Sequence, residues 1–208
     1  MEGESMGSYR TDAEMIKKAI AFHGHSCPGL AIGIRASEVA LREIGKATDE
    51  EVVAVVETDM CAVDAIQFLT GCTFGKGNLI HKDYGKNAFT FYRRRDGQAI
   101  RLVTRPEVFG ATGQTLWRLN RKVQEEGLTE EEEKTWRTLR EELTNRIMAS
   151  DPSELFEMKQ PKEPAPRKAR MVPSLICQSC KEPVMETRTR RLYEKVYCIP
   201  CFDLLDQR

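Results

Sequence analysis

The chain has 208 residues, 40 % of them hydrophobic, and its 32 basic and 32 acidic side chains cancel to a formal net charge of zero. This length and composition describe a soluble globular protein with one ordinary domain and one small one, and they exclude a whole-chain polyanion binder. No apolar run approaches the roughly 18 residues that span a bilayer, so no membrane association is expected. Residues Met1–Tyr9 lack the basic-then-apolar layout of a signal peptide, and seven cysteines without a secretory signal fit a reducing cytoplasm.

In chain order, Thr11-Asp-Ala-Glu14 reads as a capping box that opens a helix through Met15, Ile16, Ala19 and Ile20 toward Phe22. Gly24 interrupts it, and Pro28 opens a second helix with Leu30, Ile34, Leu41 and Ile44 on its apolar side and Gly45 at its exit. Ala31, Gly33, Ala36 and Ala40 on that helix permit close approach by a neighbour. Val52–Val56 is continuously apolar and mostly β-branched, as buried strands are, and 61–69 reads as helix. Residues 88–92 and 98–104 form two strands joined across Asp96-Gly97, a strong hairpin signal. A helix begins over 116–123, and Thr129-Glu-Glu-Glu132 caps another through Trp136, Leu139, Leu143 and Ile147.

Pro161, Pro164, Pro166 and Pro173 then mark an extended segment. The expected organisation is an α+β core of mixed helix and sheet over 1–155, a proline-rich basic linker over 156–174, and a small zinc-binding domain over 175–208. Charge is unevenly spread along this frame. Residues 125–142 hold eight acidic side chains against three basic ones, whereas from 159 onward eleven basic side chains face six acidic ones. The basic end suits a solvated linker, a phosphate backbone or an acidic protein face. Tyr193, Tyr197 and Phe202 beside it are candidates for stacking on bases or for the core of the small domain.

The strongest chemical signal is Cys177-Gln-Ser-Cys180, seventeen residues, then Cys198-Ile-Pro-Cys201. Two such pairs suit one tetrahedral four-thiolate zinc ion, with two disulfides as the alternative in an oxidising compartment. Metal binding explains how so short a segment folds, since structural zinc supplies roughly 10–16 kcal/mol of apparent free energy at neutral pH.

The second signal is His23-Gly-His25-Ser-Cys27-Pro28, where one helix gives way to the next. Imidazole with sulfur suits zinc or another late first-row metal. Alternatively, Cys27 is a low-pKa thiolate at a helix start, or the histidines cap the preceding helix and Cys27 packs as a small apolar residue. Cys61 follows a strand in a loop, and Gly71-Cys72-Thr73-Phe74-Gly75-Lys76-Gly77-Asn78 adds a thiol and an ammonium, with His81, Asp83, Tyr84 and Lys86 close behind. The glycine stretch lacks P-loop spacing; it reads as an anion cradle of backbone amides or as a tight loop.

Together, the segments His23–Leu30, Cys61–Gln67, Thr70–Leu79, Asp83–Lys86 and Ala88–Phe91 resemble the FmdE family, the FmdE subunit of formylmethanofuran dehydrogenase, in content and order over about residues 15–110. The four-cysteine tail looks like the treble-clef module that many members append. The resemblance implies an α+β core, a homodimer, and a cleft lined by the His/Cys motif that holds a metal. The parent enzyme's redox cofactors belong to its other subunits, and this chain lacks the repeated cysteines of a ferredoxin-type cluster.

The leading expectation is therefore a metal-binding accessory subunit or homologue in a molybdenum/tungsten oxidoreductase system linked to methanogenesis. His23, His25, Cys27 and Cys61 are its candidate core ligands, with Cys72 as a fifth donor or nearby thiol. Cys27, Cys61, Lys76 and Tyr84 are the candidate catalytic residues, the last two orienting an anionic group. Zinc is the tail cofactor, with a second zinc or another late first-row ion in the core. Expected partners are a second copy of the chain, with or without exchanged zinc domains, and oxidoreductase subunits. A zinc-finger adaptor that binds nucleic acid or an acidic protein is the alternative. A weaker one is thiol or hydrolytic chemistry at Cys27 or Cys61 with His23, His25 or His81 as base.

Overall fold

Helix α1 (Ala13–His23) starts one residue later than the capping-box reading, because Asp12 rather than Thr11 takes the cap and accepts the Met15 amide at 2.7 Å. It ends at Gly24, whose φ of 93° is the left-handed conformation that suits glycine. These assignments come from a computed structural model that describes residues 11–206; the Met1–Tyr9 segment lies outside the described residues. The chain divides into two compact units, Met1–Lys168 and Ala169–Arg208.

In the larger unit, α2 (Pro28–Glu43) lies at the centre and is buried continuously from Leu30 to Ala40. Strand β1 (Val52–Val56) follows, then α3 (Ala62–Thr70), β2 (Leu79–His81), β3 (Ala88–Arg93) and β4 (Ala99–Thr104). A short 3₁₀ turn leads to α4 (Gly110–Glu125), α5 (Glu130–Ala149), α6 (Pro152–Leu155) and β5 (Phe156–Lys159). The five strands form one sheet in the order β2-β1-β3-β4-β5, with β1 and β2 parallel and every other pair antiparallel. Ile32, Ala36 and Val39 of α2, Ile66 of α3 and Leu143 and Ile147 of α5 pack with Ala54, Phe89, Phe91 and Leu102 of the sheet in one core. A second apolar layer joins α1 to α2 and α3 through Ala19, Leu30, Ile34, Ala65 and Leu69, with Cys27 among them.

The α2–α3 crossing is set by Gly33. A Cβ built there falls 2.2 Å from the carbonyl oxygen of Ala62, so only glycine admits this approach. The same central helix buries an ion pair. Arg35 and Glu38 are 1 % and 2 % exposed and contact each other, Arg35 donates to the Ser150 carbonyl at 2.7 Å, and Glu38 accepts the Thr11 amide at 2.8 Å. These bonds satisfy charges that would otherwise be expensive to bury, and they tie the start of α1 and the end of α5 to α2.

Part of the segment assigned to the linker belongs to the larger unit. Residues 156–159 form β5 on the edge of the sheet, Glu163 pairs with Lys82, and Arg94 donates to the Pro166 carbonyl at 3.2 Å. Ala165 packs on Val53, Val55 and Tyr92, the sheet face opposite the helices. Prolines forbid helix, but they allow an extended strap that docks through carbonyls and side chains.

In the smaller unit, β6 (Ser174–Ile176) pairs antiparallel with β7 (Pro183–Met185), and β8 (Thr189–Leu192) with β9 (Lys195–Cys198), before α7 (Ile199–Leu205). Tyr193 and Glu194, both at positive φ, make the tight β8–β9 turn. The α+β core with a small cysteine-bearing domain matches the class expected from the sequence.

Replacing Gly33 by Ala is expected to destabilise the chain by about 1–3 kcal/mol in urea unfolding, as overpacking does. Gly75→Ala, where a Cβ meets open space, should stay within about 0.5 kcal/mol of the parent. Equal midpoints for the two variants would refute the steric account of the crossing.

Candidate metal centre and its adjoining cleft

Three helix ends converge on the His/Cys motif. His23 is the last residue of α1, Cys27 is the N-cap of α2, and Cys61 is the N-cap of α3. The Cys27 sulfur accepts the Leu30 amide at 3.3 Å, at the start of α2. Donor atoms of His23, His25 and Cys27 all lie within 4.8 Å of one another, and the two imidazole rings are 4.5 Å apart. Gly29 lets Cys61 approach Cys27: a Cβ on Gly29 would lie 3.1 Å from the Cys61 Cβ, 3.7 Å from the Cys61 sulfur and 3.9 Å from the Cys27 sulfur. Burial and the neighbouring Cys27 push the Cys61 thiol above its usual range. Burial, His23 and Arg140 lower His25 below its usual range, the direction that favours the neutral imidazole.

Asp64, in the first turn of α3, is the residue that makes this group suited to an ion. Its Oδ2 sits 2.7 Å from His23 Nδ1, leaving Nε2 directed at the Cys27 sulfur 3.9 Å away. A carboxylate on the far nitrogen of a ligating histidine fixes tautomer and ring orientation and raises basicity. Tetrahedral bonds of about 2.05 Å to nitrogen and 2.3 Å to sulfur place the two donors roughly 3.6 Å apart, close to the distance found. In the sequence Asp64 looks like an ordinary acidic residue in a first helical turn; its only signal is a place in the Cys61–Gln67 motif, three residues after the cysteine.

The other candidates are distributed differently. Cys61 and Cys72 flank the nine-residue α3, which spans about 13.5 Å, so they cannot share one ion. Cys72 is fully buried under the sheet and donates to the Val52 carbonyl at 3.5 Å. Several amides of the Gly71–Asn78 loop are engaged within the protein, as a tight loop requires. Its Cys72, Thr73, Phe74 and Gly77 amides bond to Thr70, Asn78, Gln67 and the Phe74 carbonyl respectively. Lys76 stands in that loop, beyond the end of α3 remote from Cys61. Tyr84 follows β2 at the Val56 end of β1, largely exposed, with the Lys82 and Lys86 ammonium groups 5.8 and 5.9 Å from its ring. His81 is exposed and pairs with Val56 through the backbone.

Beside His25 opens a cleft of about 580 Å³, with Ser26 on the same side. Its opposite wall is two adjacent rows of α5, Trp136, Arg140 and Thr144 next to Arg137, Glu141 and Asn145. Arg140 lies 4.3 Å over the Trp136 ring. Nothing in the local sequence of these i, i+4 rows signals their convergence on the histidines.

In the smaller unit, Cys177, Cys180, Cys198 and Cys201 present their sulfurs within 4.8 Å of one another. The Cys180–Cys198 separation of 3.9 Å matches the roughly 3.8 Å edge of a zinc tetrathiolate and is far from a disulfide bond. The Cys198 amide donates to the Cys177 sulfur at 3.3 Å, which helps lower that thiol to about 6. Tyr193 is 88 % exposed at the hairpin tip, whereas Tyr197 and Phe202 are half-buried.

Asp64→Asn should keep the fold and weaken metal binding at the core site by about 10–100-fold, as loss of a carboxylate behind a ligating histidine does. Competition against a chromophoric chelator checks this, and an affinity equal to the parent's would deny Asp64 its orienting role.

Residues 22–157 match the model of the family described as FmdE, molybdenum formylmethanofuran dehydrogenase operon, and residues 173–207 match the prokaryotic dksA/traR C4-type zinc finger. The chain is similar to an Archaeoglobus fulgidus protein named a probable S-adenosyl-L-methionine-binding protein, at 33 % identity over 188 residues. That alignment takes in 85 % of this chain but spans only half the length of the relative. Among solved structures, a tungsten formylmethanofuran dehydrogenase FmdE-like protein from Syntrophus aciditrophicus superposes with a TM-score of 0.60 at 25 % identity, covering all of both chains. The chain belongs to the FmdE family and ends in a C4-type zinc finger.

Proposed function

We propose that this chain is a metal-binding accessory subunit, or a homologue of one, in a molybdenum/tungsten oxidoreductase system of the formylmethanofuran dehydrogenase type. The observation that carries the reading is the Asp64–His23 hydrogen bond, because it orients a ring nitrogen toward Cys27 in a way that packing does not require. His23, His25 and Cys27 would hold the ion, with Cys61 as the adjacent donor. Three protein ligands and a neighbouring cleft suit a centre with an open position, where a late first-row metal polarises a bound group. The residues around it have separable tasks. Asp64 orients His23, the Leu30 amide positions the Cys27 sulfur, and Gly29 keeps Cys61 close.

The tail plays a different part in this reading. Four thiolates complete a tetrahedron and leave no position for substrate, so its zinc folds the small domain. Lys76 and Cys72 take no share in the chemistry, since both lie beyond the end of α3 remote from Cys61. The working particle is a homodimer. Among the described residues no helix is long and apolar enough to cross a membrane, which is consistent with partners met in solution.

Native mass spectrometry of the full chain tests the reading in one experiment. It should find twice the 23.7 kDa chain mass with two ions per chain. Cys27→Ala is expected to remove the core ion alone, and Cys180→Ser the tail ion alone. One ion per chain, lost with Cys180→Ser and indifferent to Cys27→Ala, would contradict the proposal.

A further inference from the structure

Among the described residues, the cleft beside His25 holds a cation without an acidic partner. Arg137 is paired with Glu133, outside the cleft lining. Arg140 makes no side-chain hydrogen bond or ion pair among the described residues; its guanidinium is held over Trp136, 4.3 Å from the ring centroid. The ring anchors the guanidinium carbon and leaves its N–H groups without a protein partner among the described residues, and a guanidinium's planar fork is the geometry a carboxylate matches with two parallel hydrogen bonds. Glu141 lines the same cleft and, among the described residues, has no cationic partner within ion-pair distance.

The charge balance narrows the ligand class. Glu133 offsets Arg137, and Glu141 repels additional negative charge, so the cleft accommodates one anionic group at Arg140 better than a dianion. A volume of about 580 Å³ lies in the range of small-molecule sites. Trp136 supplies an apolar wall, while Asn145 and Ser26 supply polar ones.

We propose that this cleft binds a small organic monocarboxylate, with its carboxylate on Arg140 and its other end toward His25. The inference rests on the metal-centre reading for what happens at His25, where the far end of the ligand meets the open position. The carboxylate contact itself depends on α5 alone. Arg140 is accordingly a binding and specificity residue, and the site selects carboxylates against neutral isosteres and phosphate.

The chain has two tryptophans, Trp117 on α4 and Trp136 in the cleft, so indole N–H resonances give a probe with an internal control. The full-length protein is titrated with benzoate, benzamide and inorganic phosphate. Benzoate should shift the Trp136 signal and leave Trp117 in place, with benzamide and phosphate each at least about tenfold weaker. Arg140→Gln should reduce benzoate affinity by at least about tenfold, with Arg140→Lys, which keeps the charge and loses the fork, in between. The core ion should be retained in both variants. Benzamide or phosphate binding as tightly as benzoate, an unmoved Trp136 signal, or an Arg140→Gln variant with parental affinity would overturn the proposal. A chain that selects benzoate but holds no core ion would support the cleft and sink the metal-centre reading. A chain that holds the ion but lacks the selectivity would do the reverse.

Discussion

The contact on which the rest of the larger unit depends is the backbone crossing of α2 and α3 at Gly33. With no Cβ at 33, the α2 surface comes against the Ala62 carbonyl, and two helix starts are drawn to one point. Cys27 and Cys61 occupy those starts, so the crossing that closes the core also sets two sulfurs side by side. Helix amino termini favour negative charge, while the α1 carboxyl end that carries His23 favours positive charge. An ion held there by sulfur and imidazole would lie where the backbone field helps both partners. Gly29 repeats the device on a smaller scale by admitting the Cys61 side chain.

The two cysteine groups differ in kind. The tail gathers four sulfurs at the near-tetrahedral spacing of a closed site, in a segment too small to bury much of a core of its own. The larger unit folds around an extensive apolar core of its own. Its His/Cys group sits at an exposed margin, with His25 and Ser26 open to solvent and a polar cleft alongside. Ligands gathered where folding does not require them are better explained by chemistry than by architecture. Asp64 strengthens that contrast, because its bond to His23 serves the ring's orientation.

Much of the fold is legible because local signals agree with tertiary ones. The apolar run at 52–56 is the interior strand β1 between β2 and β3, Asp96-Gly97 is a hairpin turn, and Thr129 with Glu132 is a complete capping box. Strand β2 is not legible: three residues carry no periodicity, and its pairing with β1 depends on α3 as a crossover. Nor is β5, whose Phe156 alone is buried in a run that reads as polar linker. Around the site, the ligand types and their order along the chain can be read, whereas distance cannot. Cys72 looks like a fifth donor in a rich sequence neighbourhood, yet a whole helix separates it from Cys61. Arg140 and Trp136 lie more than a hundred positions from His25 on a charge-rich helix, and no local pattern links them to it. Only the packing of α5 against α2 brings them to the histidines.

The central claim is that an ion binds to imidazole as well as sulfur in this chain, and X-ray absorption at the metal edge tests it most directly. The tail offers sulfur alone, so a nitrogen shell has to come from a histidine outside it. On the zinc-loaded full chain, the account predicts a shell at about 2.0–2.1 Å from nitrogen beside one at about 2.3 Å from sulfur, with the nitrogen shell lost in His23→Ala. A spectrum of sulfur scatterers alone, unchanged by that substitution, would contradict it and leave the tail as the only metal site.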